Sequence, residues 1–306
     1  MKDIAVVGAG AMGCLFAARL ALGGAKVTLI DIDARRIELI AREGLRLDDD
    51  AGSSHVRPNA SLAADFAGPA DLVLLFTKGN HSAAAVHSIK HLARYGPLAL
   101  TLQNGLGNAE ILAGTFGADR VLMGTAHVPA DLAETNRVVT QGFAHILLGG
   151  HNAAAHTFAS ATAAVLERAG FETRVAADVE TAIWEKLAFN AALNALAMVA
   201  EAPNGAMDNP AGRRIAHAIA TEAAIVARAK GLSIDEAAIH TDIDRALVQH
   251  ADHEASMLQD RKAKRPTEIE FINGAVARAG EALGIATPVT ATLADIVRII
   301  EVEGQG

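Results

Sequence analysis

Cysteine is almost absent from this sequence. One residue in 306, Cys14, excludes an internal disulfide and a zinc site built from thiolates. Aromatics are scarce too, at 4%, with one Trp and one Tyr. Alanine therefore supplies much of the 51% apolar fraction, which suits helix packing better than a β-sandwich. A basic excess is also missing. Lys and Arg number 27 against 35 Asp and Glu, for a formal charge of −8, so nucleic acid is not expected as a partner. No charge-free run reaches the roughly 18 residues that span a bilayer. The best candidate, Leu187 to Ala200, is short and carries Asn190 and Asn194. Met1-Lys2-Asp3-Ile4 enters an apolar run at once, with no cleavage-type site after it, so no membrane or export segment is expected and the cytoplasm is the expected compartment. What remains is a chain of 306 residues, 20% charged, long enough for about two domains with a sizeable core.

The first half alternates strand and helix. Ile4 to Val7 is a short apolar run, Ala11 to Leu22 has helical spacing, Gly23-Gly24 stops it, and Lys26 to Ile30 reads as the next strand. Further strands are predicted at Leu72–Phe76, Leu98–Leu102 and Val121–Thr125, with a hairpin of 137–140 and 145–148 around Gln141-Gly142. Continuous apolar strands separated by helices predict a parallel sheet covered on both faces. From Asp178 the strand signal stops. Helices are predicted from an Asp178 cap to about Ala200, and from about Gly212 to Lys230. Capping boxes read at Ser233–Glu236 and Thr267–Glu270. The fold class is thus an α/β Rossmann-type N-terminal domain followed by an all-α domain. The boundary lies near residues 170–178, dividing the chain into 1–175 and 176–306.

Gly8-Ala9-Gly10-Ala11-Met12-Gly13 is a G-x-G-x-x-G sequence. It follows a strand and opens a helix within a β-α-β unit, the context in which this motif binds a dinucleotide. Gly8 permits the tight turn, Gly10 the approach of a pyrophosphate, and Gly13 the packing of helix on strand. An ordinary glycine-rich turn is the alternative. Asp31 closes the second strand, where a carboxylate accepts the ribose hydroxyls of NAD and repels the 2′-phosphate of NADP. A solvated strand-end Asp is the plainer reading, and Arg35 and Arg36 follow within reach of a phosphate.

The segment from Trp184 to Leu196 is apolar except for Glu185, Lys186, Asn190 and Asn194. The last three fall at i, i+4 and i+8, on one side of a helix. Asn is a poor interior helix residue, so a polar seam between helices or a substrate pocket must satisfy it. A lysine in such a setting has its pKa lowered and can serve as a general acid.

The chain resembles the ketopantoate reductase (2-dehydropantoate 2-reductase) family over nearly its whole length. The resemblance rests on the glycine motif, Thr77-Lys78 after a strand, and Gln103-Asn104-Gly105-x-Gly107-Asn108. It also rests on Lys186, Asn190 and Asn194 with Pro203-Asn204-Gly205 beyond them. Ser256–Asp260, Thr267–Glu270, Ile272-Asn273-Gly274, Gly284-Ile285 and Thr287-Pro288 complete it. It implies a Rossmann domain and a helical domain with the active site in the cleft between them, and a place in pantothenate biosynthesis. Lys186 would be the general acid and Glu268 the catalytic carboxylate. Asn190, Asn194 and Ser256 would hold the substrate, and Asn104 both cofactor ribose and substrate. Residues Gly8 to Gly13, Asp31 and Lys78 would hold NAD(P)H. For Glu268 and Ser256 the bland alternatives are a first-turn helix carboxylate and a capping hydroxyl.

Two departures bear on the chemistry. The family norm is NADPH with a basic residue just past the second strand, whereas here Asp31 is followed by Ile32 and favours NADH. The segment Thr125–Asp131 also differs, with His127 near the expected substrate. The expected reaction is NAD(P)H-dependent reduction of a 2-oxo acid, ketopantoate by resemblance. The alternative is an NAD-dependent 2-hydroxyacid dehydrogenase with another substrate. A non-catalytic dinucleotide sensor would have no use for Lys186, Asn190, Asn194 and Glu268 together. His250-Ala251-Asp252-His253-Glu254 is the one histidine-rich run, and no metal is expected from it. The oligomeric state stays open, a homodimer among the options.

Overall fold

The computed structural model describes residues 1–303. By internal contacts the chain forms two units, 1–103 with 108–179, and 104–107 with the residues from Glu180 onward.

The first unit holds β1 (Asp3–Val7), α1 (Ala11–Leu22), β2 (Lys26–Asp31), α2 (Ala34–Glu43), β3 (Leu45–Asp49), β4 (Gly52–Val56), β5 (Asn59–Leu62), β6 (Leu72–Leu75) and α3 (Gly79–Ser88). After these come β7 (Leu98–Thr101), α4 (Asn108–Phe116), β8 (Val121–His127), β9 (Asp131–Glu134), β10 (Arg137–Val139), β11 (His145–Gly150), α5 (Ala153–His156), α6 (Ala159–Arg168) and β12 (Glu172–Val175). The main sheet has the order β12-β11-β8-β7-β6-β1-β2-β5. The strands from β8 to β5 run parallel, while β11 opposes β8 and runs parallel with β12. Strand periodicity explains the two buried faces. Ile4 and Val6 join the core beneath α1 and α6, whereas Ala5 and Val7 join the core on the face of α3 and α4. A second sheet, β4-β3-β10-β9, buries Leu45, Leu47 and Val138 in the α1-side core.

The expected hairpin of residues 137–148 does not form. β10 pairs with β3 and β9, while β11 pairs with β8 and β12 in the other sheet. The Gly142 N–H is instead donated to Asp50 Oδ2 at 2.7 Å. Burying Val138 through the second sheet outweighs the local turn, so the glycine serves as a crossing rather than a hairpin tip.

The second unit is helical among its described residues: α7 (Val179–Ala200), α8 (Pro210–Ala229), α9 (Glu236–Gln249), α10 (Ser256–Lys262), α11 (Asn273–Ala282) and α12 (Pro288–Glu303). Its core joins Trp184, Leu187 and Ala191 of α7 to Ile219 and Ala223 of α8 and Ile243 and Leu247 of α9. Asn209 caps α8, with its side chain accepting the N–H groups of Ala211 and Gly212 ahead of Pro210 at the first turn. Neither expected capping box is used. Asp235, not Ser233, caps α9 by accepting the Ala238 N–H. Residues 267–272 precede α11 as a turn, where Thr267 Oγ1 accepts the Ile269 N–H at 3.2 Å. Glu270 pairs with Arg278 and Arg298 instead of reaching back. No helix among the described residues is long and apolar enough to cross a membrane.

Candidate active site

Four elements of the first unit end together. β7, β6, β1 and β2 are adjacent and parallel, so their carboxyl ends lie along one edge of the sheet. The order reverses at β1, because the chain runs outward through β2 and β5 and then returns to β6 on the other side. Open α/β sheets bind ligands at such a reversal. Gly8 has φ +101°, and a Cβ there would stand 2.8 Å from Phe76 C and Thr77 N. A Cβ on Gly13 would stand 1.7 Å from Gly8 O, so the helix lies directly on the turn. At Gly10 a Cβ would meet nothing within 4 Å. Two glycines are thus demanded by packing, and the third faces open space, as an approaching pyrophosphate requires. This is the fit expected of a dinucleotide turn.

Asp31 stands beside that turn. Its Oδ2 accepts the Ala9 N–H at 2.5 Å, and its Oδ1 accepts those of Ile32 and Asp33 at 2.8 and 3.0 Å. Arg36, in the first turn of α2, donates from Nη1 to the Ala9 carbonyl at 2.5 Å. Arg35 is exposed. Lys78 occupies the capping position of α3, just past β6. Behind it Gln103 Nε2 donates to the Thr77 carbonyl at 2.5 Å and to Ser82 Oγ at 2.9 Å, and Ser82 in turn donates to Asn108 at 2.8 Å. This network fixes the Thr77-Lys78 turn. Gln103 stands in the sequence motif, but its partners lie in other elements and give no local signal.

The second unit gathers the other candidates. α7 carries Lys186, Asn190 and Asn194 along one side, and both asparagines are buried. Asn194 Nδ2 donates to Ser256 Oγ at 3.2 Å, joining α7 to the first residue of α10. Burial lowers the Lys186 pKa to about 8, while the charge of Glu268 pushes it back up. Glu268 is buried, in the turn before α11 rather than in a helical first turn. Its alternative reading as a dipole-stabilised carboxylate therefore falls. The loop 104–107 belongs to this unit: the Leu106 N–H donates to the Phe271 carbonyl at 2.9 Å, and Gly105, with φ +85°, lies against that carbonyl. Asn104 opens this loop. Asn273, given no role by the sequence beyond its motif, is fully buried and donates to the Ala191 carbonyl at 2.9 Å, tying α11 to the helix that carries Lys186. His127 is exposed at the end of β8, opposite His145. Among the described residues no three His, Cys, Asp or Glu side chains could hold a metal ion.

Residues 4–153 match the family model described as ketopantoate reductase PanE/ApbA, and residues 178–301 match that of its C-terminal part. The chain belongs to the ketopantoate reductase family. It is 34% identical over 303 residues to the 2-dehydropantoate 2-reductase of Halobacterium salinarum, covering 98% of this chain and 99% of that one. It is 32% identical over 300 residues to the Vibrio cholerae protein of the same name, with 98% of each covered. Among solved structures it is similar to a PanE/ApbA family ketopantoate reductase from Ralstonia eutropha, at 29% identity, TM-score 0.91 and 100% of both chains. It is also similar to a D-mandelate dehydrogenase solved with NADH and anilino(oxo)acetate, at 25% identity, TM-score 0.94 and 100% of both chains. A ketopantoate reductase and a D-mandelate dehydrogenase thus share this architecture.

Proposed function

We propose that the chain reduces a 2-oxo acid to the 2-hydroxy acid with a reduced nicotinamide dinucleotide, ketopantoate to pantoate being the first substrate to test. The carrying observation is Lys186, whose ammonium is brought by burial to a pKa of about 8 beside Glu268, on a helix that also bears Asn190 and Asn194, the latter bonded to Ser256 of α10. Residues Gly8, Ala9, Gly10, Ala11, Met12 and Gly13 wrap the pyrophosphate, Asp31 meets the adenosine ribose, and Lys78 and Asn104 complete the dinucleotide contacts. When bound, the reduced nicotinamide supplies a hydride to the ketone carbon. Lys186 gives its proton to the ketone oxygen, which completes the conversion of C=O to CH–OH. Glu268 favours the charged lysine and so keeps the acid loaded near neutral pH. Asn190, Asn194 and Ser256 bind the substrate carboxylate and hydroxyl. The first unit acts as the dinucleotide domain, the second as the substrate and catalytic domain, and the cytoplasm is the proposed compartment.

NADH is the proposed cofactor. A carboxylate facing a 2′-phosphate repels it by about 4 kcal/mol at most, at 4 Å and an effective dielectric of 20. A preference of about tenfold in kcat/KM, or ~1.4 kcal/mol, is the expected net. Asp31, exposed His127 and the likeness to D-mandelate dehydrogenase with NADH together favour a second reading, an NAD-dependent 2-hydroxyacid dehydrogenase with another substrate. The test is consumption of NADH and NADPH against a panel of 2-oxo acids that includes ketopantoate. Turnover of ketopantoate above the rest supports the first reading. Turnover of a bulkier 2-oxo acid supports the second, and no turnover with any defeats both.

A further inference from the structure

We propose that Arg36 is a positioning residue for the dinucleotide turn and takes no part in choosing between NADH and NADPH. The inference rests on the dinucleotide reading of the glycine motif. Ala9 is held from both sides. Its N–H is donated to Asp31 Oδ2 at 2.5 Å, and its carbonyl accepts Arg36 Nη1 at 2.5 Å. The same carbonyl lies 3.3 Å from the Cys14 thiol, and Ala9 itself is fully buried. Two opposite charges, from the end of β2 and the start of α2, thus clamp one residue.

The clamp matters because it acts on the next residue, Gly10. The peptide that joins Ala9 to Gly10 is planar and trans, so fixing the Ala9 carbonyl also fixes the opposed Gly10 N–H. Gly10 caps α1 and faces open space. The Gly10 carbonyl is already held by the Cys14 N–H at 2.9 Å, so what the preceding peptide decides is the aim of the Gly10 N–H, and a ligand that had to order that peptide would lose affinity to the entropy. Arg36 imposes the order before the ligand arrives. Its own backbone is set, because its N–H is donated to the Asp33 cap at 3.2 Å. The guanidinium is therefore committed inward to the turn that both dinucleotides share. A 2′-phosphate contact would instead touch NADPH alone.

The test is calorimetric titration of the ligand-free protein with NADH and with NADPH. Arg36→Ala should raise both Kd values by about tenfold, the order expected of one charge-assisted hydrogen bond, and leave their ratio within about twofold of wild type. KM for both cofactors should rise while kcat at saturation holds, and Arg36→Lys should recover part of the affinity. The lysine variant also carries the test if the alanine variant folds poorly. Arg35→Ala removes the same charge from the same turn and should leave NADH binding unchanged. Loss of NADPH binding alone would overturn the proposal by making Arg36 a phosphate contact. Unchanged binding of both, or an equal loss in Arg35→Ala, would overturn it as well. Wild-type protein that binds neither dinucleotide would defeat the underlying reading instead, and the proposal with it.

Discussion

A lysine acid whose pKa is set by burial against one carboxylate should leave a readable pH signature. Lys186 has a pKa of about 8, lowered first by burial and raised in part by Glu268. At pH 7 such a group is about nine-tenths protonated, and at pH 9 about one-tenth. The kcat/KM for the 2-oxo acid reports the enzyme before that substrate binds. It should hold below pH 8 and fall about tenfold per pH unit above. The reverse oxidation needs the neutral amine and should rise across the same range. Lys186→Ala removes the donor and should lower turnover by roughly 10²–10⁴-fold with dinucleotide binding intact. Glu268→Gln keeps the shape and removes the charge that raises the lysine. The descending limb should then move to lower pH, with a large loss of activity and little change in Tm. The assay is initial rates from pH 6 to 10.5 at saturating cofactor. A wild-type profile flat to pH 10 would refute the reasoning, as would a Glu268→Gln limb that stays in place.

Replacing Lys186 should also expose the cost of burying it. Its folded pKa, about 8, lies below the roughly 10.4 of an unfolded lysine, so between these values the unfolded chain binds more protons and stability rises with pH. The stability difference between Lys186→Met and wild type should therefore favour the variant most below pH 8 and shift towards wild type by pH 10.4 in denaturant titrations. Gly13→Ala forces a Cβ to 1.7 Å from the Gly8 carbonyl, and relief of that clash should lower stability by about 1–3 kcal/mol or more and abolish dinucleotide binding, read by Tm and calorimetry. Asp31→Asn should shrink the preference for NADH, mostly by improving NADPH, and a wild-type preference for NADPH would defeat the assignment. Ser256→Ala removes the partner of Asn194 and should raise KM for the 2-oxo acid several-fold with Tm nearly unchanged.

The parts of the fold that the sequence makes legible are those decided within one turn or one strand. α1 begins after an extended Gly10 and ends before Gly23-Gly24, and these are local events. β1 is legible because a short apolar run rich in Ile and Val that stops at Gly8 has one stable outcome at the centre of a sheet. The second sheet is illegible for the opposite reason. β3 is a short alternating segment, and its pairing with β10 depends on residues from another part of the chain. Thr267–Glu270 has the letters of a capping box, yet a capping box needs its glutamate free. Arg278 and Arg298 take Glu270, and the helix begins at Asn273 instead.

The candidate site divides along the same line. Lys186, Asn190 and Asn194 announce themselves by spacing, because three polar residues on one side of an apolar helix demand a common explanation. The glycine turn announces itself by order. What spacing does not carry is the state of each group. That Lys186 is lowered rather than merely placed depends on burial, and its coupling to Glu268 joins two segments far apart in sequence. The two arginines after Asp31 are equivalent in the sequence. In the fold one is exposed and the other is bonded to Ala9. That difference removes Arg36 as a counterweight to Asp31. The carboxylate is held at the turn by three backbone N–H groups, so it is not free to swing away from a 2′-phosphate. On the proposed NADH reading, Asp31 then repels a 2′-phosphate with only the exposed Arg35 left nearby to offset it.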